Sequence, residues 1–351
     1  MKLAQKHAVV FVVLSCDTFE VNAVGRVTVR HVGDLLREGS IPVYVLPGNH
    51  DPLVPGSVWE HPVWEESEQI HLLREAEPVV AGSVALYPCP ALEQHSGADP
   101  TRWIPSKGEG IRIGVAHGTV EGLASDDRSF PIPRDAAEAK GLDYLALGHW
   151  HSTTLYDTSA GDVRTAYSGT HEPTRFGERD SGNVLLVEIS ASGQPPQVQK
   201  LPTGGLTWTR LDLDVRTKED LLLAAARVDD IESPSSTLLE VKLRGLLNPS
   251  GLDVLARIRE IMEARFLFYR LDDNDLHPHG EDPSWMDALP SGLLREVAQG
   301  LVRLSDPAHA VAGSTHVEPR VAARALQELH ALAQQEAGGR GSSSAVEVPE
   351  S

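Results

Sequence analysis

Three apolar runs in this chain each stop at a small residue and are followed by imidazole, amide or carboxylate side chains. Continuous apolar runs are typical of strands in a sheet that is covered on both faces. The carboxyl ends of such strands open onto a common crevice, so we expect the three sets of polar side chains to lie together. The three sets are Pro47-Gly-Asn-His-Asp51, Val115-Ala-His-Gly118 and Leu145-Ala-Leu-Gly-His-Trp-His151.

These side chains form a donor set for metal ions. Neutral imidazole, amide oxygen and carboxylate together suit divalent ions such as manganese, iron or zinc. Alternate residues of an extended chain point the same way, so His149 and His151 are placed to address adjacent ions. A single histidine in an apolar run is commonly an ordinary core or surface residue. Three sets in this order favour a metal site instead.

The same residues resemble the signature of the calcineurin-like metallophosphoesterases. The signature consists of Gly-Asn-His-Asp at 48–51, a lone His117 before glycine, and Gly-His-x-His at 148–151. Two further segments, Tyr167 to Gly177 and Ser181 to Glu188, are similar to the SbcD and YhaO-type DNA repair exonucleases. The resemblance covers residues 8 to 205 and is loose beyond them.

The resemblance implies a four-layer α-β-β-α sandwich of two mixed sheets over residues 1–205. Thr203-Gly-Gly205 then predicts a linker. Residues 206–275 alternate strand and helix patterns and predict a small α/β domain, which in the family caps the active site and helps to position DNA. Residues 276–337 are predicted to be helical, and residues 338–351, rich in Gly, Ser and Glu, to be a disordered tail.

The family pattern assigns one ion to Asp17, Asn49, His117 and His149. It assigns the second ion to Asp17, to His151 and to both residues of an Asp-x-His motif that lies upstream in the family. Asp17 would bridge the two ions. The flanking positions depart from the family's Gly-Asp-x-x-Asp, because Cys16 replaces the glycine and Glu20 replaces the second aspartate.

The Asp-x-His motif is not among the sixteen residues that precede Asp17. An Asp275-Leu-His277 occurs late in the chain, in what the sequence predicts to be a polar loop, and we interpret it as a coincidence. We therefore expect a missing first strand, an incomplete second metal site and impaired catalysis, through either a misplaced start codon or a degenerate gene. An unpaired strand edge before Asp17 would also favour self-association as a homodimer.

The resemblance assigns His50 as the general acid, with Asp51 holding its ring; the alternative is that His50 is a further ligand of the first ion. His171 and Arg175 are candidates for substrate phosphate contacts, or for a structural pair between arginine and a carboxylate. Trp59 and Trp64 would either stack on bases or pack in the core.

The composition and net charge limit which partners and which cellular location we expect for this protein. The net charge of −19 argues against strong intrinsic DNA binding, because Lys and Arg supply most of such affinity. A partner would then bring the positive surface, and the family suggests an SbcC-like ATPase. Two cysteines in 351 residues argue against a disulfide framework, and no apolar stretch reaches the ~18 residues of a membrane span, so we expect a cytoplasmic protein without a membrane segment.

The sequence thus predicts a hydrolase of the DNA exonuclease or endonuclease lineage that uses two divalent ions, with Mn2+ expected. One alternative is a phosphoesterase for nucleotides or small phosphodiesters. A second alternative is a non-catalytic interaction module that keeps the fold without the chemistry.

Overall fold

The computed structural model describes residues 1–15, 17–123, 129–247, 251–278, 283–289 and 292–305, with scattered positions between 321 and 333. The chain divides into two units, Met1–Thr207 and a second that begins at Trp208. The division falls two residues after the Thr203-Gly-Gly205 segment.

The first sheet is parallel and three-stranded. Helix α1 (Lys2–Lys6) precedes strand β1 (Val12–Leu14), and helix α2 (Arg26–Arg37) connects β1 to β2 (Val43–Val45), which β3 (Ile70–Leu72) follows. The strand order is β1-β2-β3, so β1 ends this sheet in the described part of the chain.

The second sheet is mixed and six-stranded, in the order β10-β11-β9-β6-β5-β4. Its four central strands are parallel, and β4 and β10 pair antiparallel at the two ends. A short pair, β7 with β8, and helix α3 lie between β6 and β9 in the chain. The ranges are β4 (Val79–Ala81), β5 (Val84–Cys89), β6 (Ile111–His117), β7 (Thr119–Val120), β8 (Pro131–Ile132), α3 (Ala136–Ala139), β9 (Tyr144–Gly148), β10 (Thr154–Asp157) and β11 (Val163–Tyr167).

One apolar core joins the two sheets. It includes Tyr44 and Leu46 from the first sheet and Leu86 and Val115 from the second. Separate cores cover the outer faces, one with α2 on the first sheet and one with α3 on the second. The predicted α/β sandwich is therefore confirmed, although the first sheet was predicted to be mixed and its described strands are all parallel.

The tryptophans that follow β2 are core residues. Trp59 is 0% exposed and Trp64 3% exposed, and both pack on Phe19 at ring distances of 5.7 and 6.2 Å. The indole N–H of Trp64 donates to the Val58 carbonyl. The alternative in which these rings stack on bases is therefore wrong, because both are already buried.

One strand pairs differently from the expectation. From its apolar pattern the segment Asn183 to Ile189 is predicted to complete the second sheet. Instead, β12 (Asn183–Glu188) pairs antiparallel with β13 (Gln197–Pro202) in a sheet of its own. The apolar pattern of β12 is compatible with either pairing, and β12 pairs with β13, the next strand along the chain.

The second unit contains a three-stranded sheet with helices α4 and α5 packed in its core. Leu239, Val241 and Leu243 each have 0% exposure in that core, as their alternation predicts. The elements are β14 (Thr207–Val215), α4 (Lys218–Asp229), β15 (Thr237–Leu247), α5 (Leu252–Arg265) and β16 (Phe268–Pro278).

Asp275 belongs to β16, so the loop expected there is wrong; its carboxylate pairs with Lys242 and Arg244. A 3-10 helix (Pro283–Ala288) and α6 (Leu293–Ser305) follow. Most of residues 306–337, which are predicted to be helical, and the whole tail predicted at 338–351 lie outside the described residues. No helix in the described ranges combines the length and apolarity needed to cross a membrane.

Helix α4 begins with a capping box formed by Thr217 and Asp220. Asp220 N–H donates to the Thr217 hydroxyl at 3.2 Å, and Thr217 N–H donates to the Asp220 carboxylate at 2.9 Å. We expect Thr217→Ala to lower the free energy of unfolding by about 1 kcal/mol in urea titrations, because one helix N–H loses its acceptor. Thr217→Ser should retain wild-type stability, and an equal loss in both variants would contradict this role of the hydroxyl.

Candidate metal centre

Four strand ends bring four predicted ligands together. Asp17 follows β1, Asn49 follows β2, His117 ends β6 and His149 follows β9. The Asn49 amide oxygen Oδ1 lies 2.8 Å from Nε2 of His117 and 3.1 Å from Nδ1 of His149. A carboxylate oxygen of Asp17 lies 3.5 Å from the same Nε2. We call these four residues the donor cluster.

The ring of His117 presents a lone pair to the amide oxygen. Its Nδ1 lies 3.0 Å from the Ser15 carbonyl, which only accepts, so Nδ1 carries the proton. Burial lowers the pKa of His117, although Asp17 acts in the opposite direction, and a neutral ring then has its lone pair on Nε2. Two lone pairs thus face each other across 2.8 Å. A cation bound by both atoms would turn this repulsion into attraction.

The spacing of the donor cluster also fits one ion. Ligands about 2.1 Å from one centre and separated by 90–110° stand about 3.0–3.4 Å apart. The 2.8, 3.1 and 3.5 Å separations in the donor cluster match that spacing. Among His, Cys, Asp and Glu alone, the described residues contain no group of three placed to hold an ion. The set therefore depends on the amide oxygen of Asn49.

Gly48 lets the two sheets approach at this point. A Cβ there would lie 2.0 Å from Asp17 Oδ1 and 2.8 Å from Cε1 of His117. Two residues after Gly48, the His50 N–H donates a hydrogen bond to Asp17 Oδ1 at 3.0 Å. The glycine before Asn49 is thus required by close packing of ligand against backbone.

Asp51 holds the backbone beneath the donor cluster. Its carboxylate accepts the N–H groups of Thr18 and Phe19, both at 2.9 Å, and of Gly48 at 2.7 Å. Burial raises the pKa of Asp51 to about 7, against the lowering effect of these N–H groups. We predicted that Asp51 holds the ring of His50; its two oxygens instead bind the backbone that carries Asp17 and Asn49.

The ring of His50 contacts Glu20. Its Nδ1 lies 3.1 Å from the Glu20 carbonyl oxygen and 3.7 Å from the Glu20 carboxylate. A carbonyl only accepts, so Nδ1 donates. The His50 side chain is 41% exposed, which leaves the ring accessible to a substrate. The sequence had singled out Glu20 only as a departure from the family pattern.

His149 has an unusual backbone. Its φ of +103° lies in a region that residues other than glycine seldom adopt. Such conformations cost about 1–3 kcal/mol and persist where the surrounding structure imposes them, often at functional sites. The strain accompanies the placement of its ring beside His117, with ring centroids 5.3 Å apart.

The described contacts of the His151 ring are not with the donor cluster but with residues of the loop after β11. Its Nδ1 lies 2.7 Å from Glu178 Oε1 and 3.3 Å from the Thr174 hydroxyl. The Glu178 side chain is 4% exposed; its burial would raise its pKa, but hydrogen bonds from Thr174 and His151 outweigh this effect, and the pKa is lowered. Glu178 was not predicted from the sequence, because a carboxylate eleven residues beyond a strand has no spacing that points to His151.

The two predicted phosphate ligands lie on this same loop. Arg175 Nε is 3.4 Å from Glu178 Oε1, so the structural pair between arginine and carboxylate is present, while 71% of the Arg175 side chain stays exposed. His171 is exposed and its carbonyl accepts the Thr203 hydroxyl at 2.6 Å. Contact of either side chain with a phosphate stays a prediction.

No family model matches the chain, but it is similar to a known protein. The chain is 25% identical over 335 residues to a Bacillus subtilis (strain 168) protein described as "Uncharacterized metallophosphoesterase YhaO". The alignment covers 86% of this chain and 80% of that protein. Together with the sandwich fold and the donor cluster, this similarity supports a relationship between this chain and the metallophosphoesterases.

Proposed function

We propose that this protein is a metal-dependent phosphoester hydrolase. The observation that carries the proposal is the convergence of two imidazole rings, from the ends of β6 and β9, on the single amide oxygen of Asn49. Asp17 adds the negative charge that a divalent cation requires. The similarity to a protein described as a metallophosphoesterase supports the same chemistry.

Each residue then has a defined task. Asp17, Asn49, His117 and His149 would hold the ion, and a bound divalent ion polarises a phosphoryl oxygen and activates water. His50 donates a proton from its ring to the leaving oxygen, which departs as a neutral alcohol. The Glu20 carbonyl fixes the other ring nitrogen, so the donated proton comes from Nε2 of the protonated ring.

The finer proposal is a phosphodiesterase of the DNA exonuclease or endonuclease lineage that uses Mn2+. Its support is the resemblance of Tyr167 to Glu188 and of the ligand motifs. The net charge of −19 supports a partner, such as an SbcC-like ATPase, that supplies DNA affinity. Strand β1 ends its sheet in the described part of the chain, which supports association of two copies through that edge.

A second ion would be held more weakly than the first. Of the residues that the family pattern assigns to it, this chain matches Asp17, which the first ion would share, and His151. We therefore propose that these 351 residues bind one ion firmly, and that turnover is slow relative to a two-ion enzyme.

Two substrates separate the candidate functions. Nucleotide release from labelled duplex DNA with Mn2+ would support the nuclease, whereas turnover of bis(4-nitrophenyl) phosphate alone would support a small-phosphodiester hydrolase. Manganese binding without turnover of either substrate would favour a non-catalytic module. Absence of both binding and turnover would contradict the proposal.

His50 provides a test of the proton donor. We expect His50→Gln to slow DNA hydrolysis by roughly a hundredfold or more, since a positioned acid contributes about 10²–10⁴ in rate. The loss should be much smaller for the 4-nitrophenyl ester, because its leaving group departs without protonation. An equal loss on both substrates would instead support His50 as a metal ligand. His31→Gln, an exposed histidine on α2, is the matched control and should leave both rates unchanged.

A further inference from the structure

The loop of residues 169–183 is hydrogen-bonded to the turn that carries His151. The Thr170 N–H donates to the His151 carbonyl at 3.0 Å, and the Thr153 N–H donates to the Asp180 carbonyl at 2.9 Å. Gly169, with φ of +75°, leaves only 2.5 Å between the position of a Cβ and the His151 carbonyl oxygen. The backbone around His151 is thus held from one side by this loop.

Glu178, in the same loop, forms a hydrogen bond with the ring of His151. Its Oε1 receives His151 Nδ1 at 2.7 Å and the Thr174 hydroxyl at 2.8 Å, and its Oε2 receives the Thr174 N–H at 2.9 Å. Arg175 Nε lies 3.4 Å from Oε1. Only 4% of the Glu178 side chain is exposed, so water has little access to its two oxygens.

The chemistry of these contacts fixes the protonation of the ring. An ionised carboxylate only accepts hydrogen bonds, so Nδ1 of His151 must carry a proton. In the neutral ring the lone pair is then on Nε2, which is the form that ligates a metal through that nitrogen. A carboxylate that orients a histidine in this way is a recurring neighbour of metal ligands.

We propose that Glu178, supported by Thr174, is a positioning residue that locks His151 in the tautomer with its lone pair on Nε2. The purpose of this lock, which is to present Nε2 to a divalent ion, rests on the proposed function. The lock itself is a property of the metal-free chain. The two can therefore be tested separately.

The primary test reads the tautomer without any metal. In long-range proton–nitrogen spectra of the metal-free, 15N-labelled chain at pH 8, the His151 ring, assigned by its loss in His151→Gln, should show one Nδ1–H form. Glu178→Leu should release the ring into a mixture of both tautomers. Glu178→Gln should give a partial mixture, because Thr174 N–H and His151 Nδ1–H then compete for one amide oxygen, and it keeps the test valid if the leucine variant does not fold.

A matched control comes from the same loop. Glu172 also accepts two donors, the N–H groups of Gly205 at 2.9 Å and Leu206 at 2.7 Å, and neither belongs to His151. Glu172→Gln should lower the thermal midpoint without changing the His151 tautomer. A single Nδ1–H form in both Glu178 variants, or an equal tautomer change in Glu172→Gln, would overturn the proposal.

The metal readout addresses the purpose of the lock. Titration calorimetry with Mn2+ should show the weaker ion binding roughly 10–100-fold less tightly in Glu178→Gln, with the firmly bound ion unchanged. Glu178→Asp, which keeps the charge, should recover part of this loss. If the wild-type chain binds no Mn2+, the proposed function fails while the tautomer result still decides the lock. If Mn2+ binds and the tautomer does not respond, the lock alone fails.

Discussion

Replacing His117 with glutamine should weaken Mn2+ binding by roughly a thousandfold, the equivalent of about 4 kcal/mol. The His117 ring supplies the lone pair that faces Asn49 Oδ1 at 2.8 Å. Glutamine replaces the imidazole nitrogen with an amide, which is a weaker ligand and can instead donate its N–H to Asn49 Oδ1. The metal-free variant should therefore keep a folded core while the ion is lost.

Thermal unfolding with and without Mn2+ measures both effects. A ligand at 100 times its dissociation constant stabilises the native state by about 2.7 kcal/mol, so the wild-type midpoint should rise with Mn2+. His117→Gln should show no such rise, and hydrolysis of either substrate should fall with the lost ion. The exposed-histidine variant His31→Gln should behave as wild type. An undiminished Mn2+ response in His117→Gln would contradict its role as a ligand.

Gly48→Ala should produce the second large effect, a loss of Mn2+ affinity of roughly a hundredfold, about 2.8 kcal/mol. Its new Cβ would lie 2.0 Å from Asp17 Oδ1, closer than any real contact, so the Asp17 carboxylate must move. The displaced carboxylate no longer meets His117 and Asn49. The same titration of the unfolding midpoint with Mn2+ measures the loss.

Two other glycines serve as controls for Gly48→Ala. A Cβ at Gly97 meets nothing within 4 Å, so Gly97→Ala should change neither stability nor Mn2+ affinity. A Cβ at Gly33 lies 2.5 Å from a methyl carbon of Val63, so Gly33→Ala should perturb the α2 packing while Mn2+ affinity is retained. If Gly48→Ala resembled either control, the close approach at Asp17 would have no bearing on the metal.

The sequence predicted the donor cluster because each ligand follows an apolar run. A buried strand is recognisable from its composition, and its carboxyl end is then located to within a residue or two. Asn49, His117 and His149 all lie at such ends, and the structure brings them together.

The neighbours of the ligands were not predictable in the same way. The Ser15 carbonyl and Glu178 act on His117 and His151 across 102 and 27 residues of chain. Neither has a periodic pattern, because a carbonyl is common to every residue and Glu178 lies in an irregular loop. Asp51 was assigned to His50 by adjacency in sequence, whereas the turn directs its carboxylate to backbone N–H groups. Strand partners also escaped prediction where an apolar run, such as β12, suits more than one neighbour.

Manganese anomalous scattering from crystals of the 351-residue chain grown with Mn2+ tests the metal centre most directly. The donor cluster predicts one strong peak within about 2.0–2.4 Å of Asp17, Asn49, His117 and His149. A weaker peak nearer His151 would accord with a loosely held second ion. Crystals that show full manganese occupancy elsewhere and no peak among these four residues would contradict the assignment.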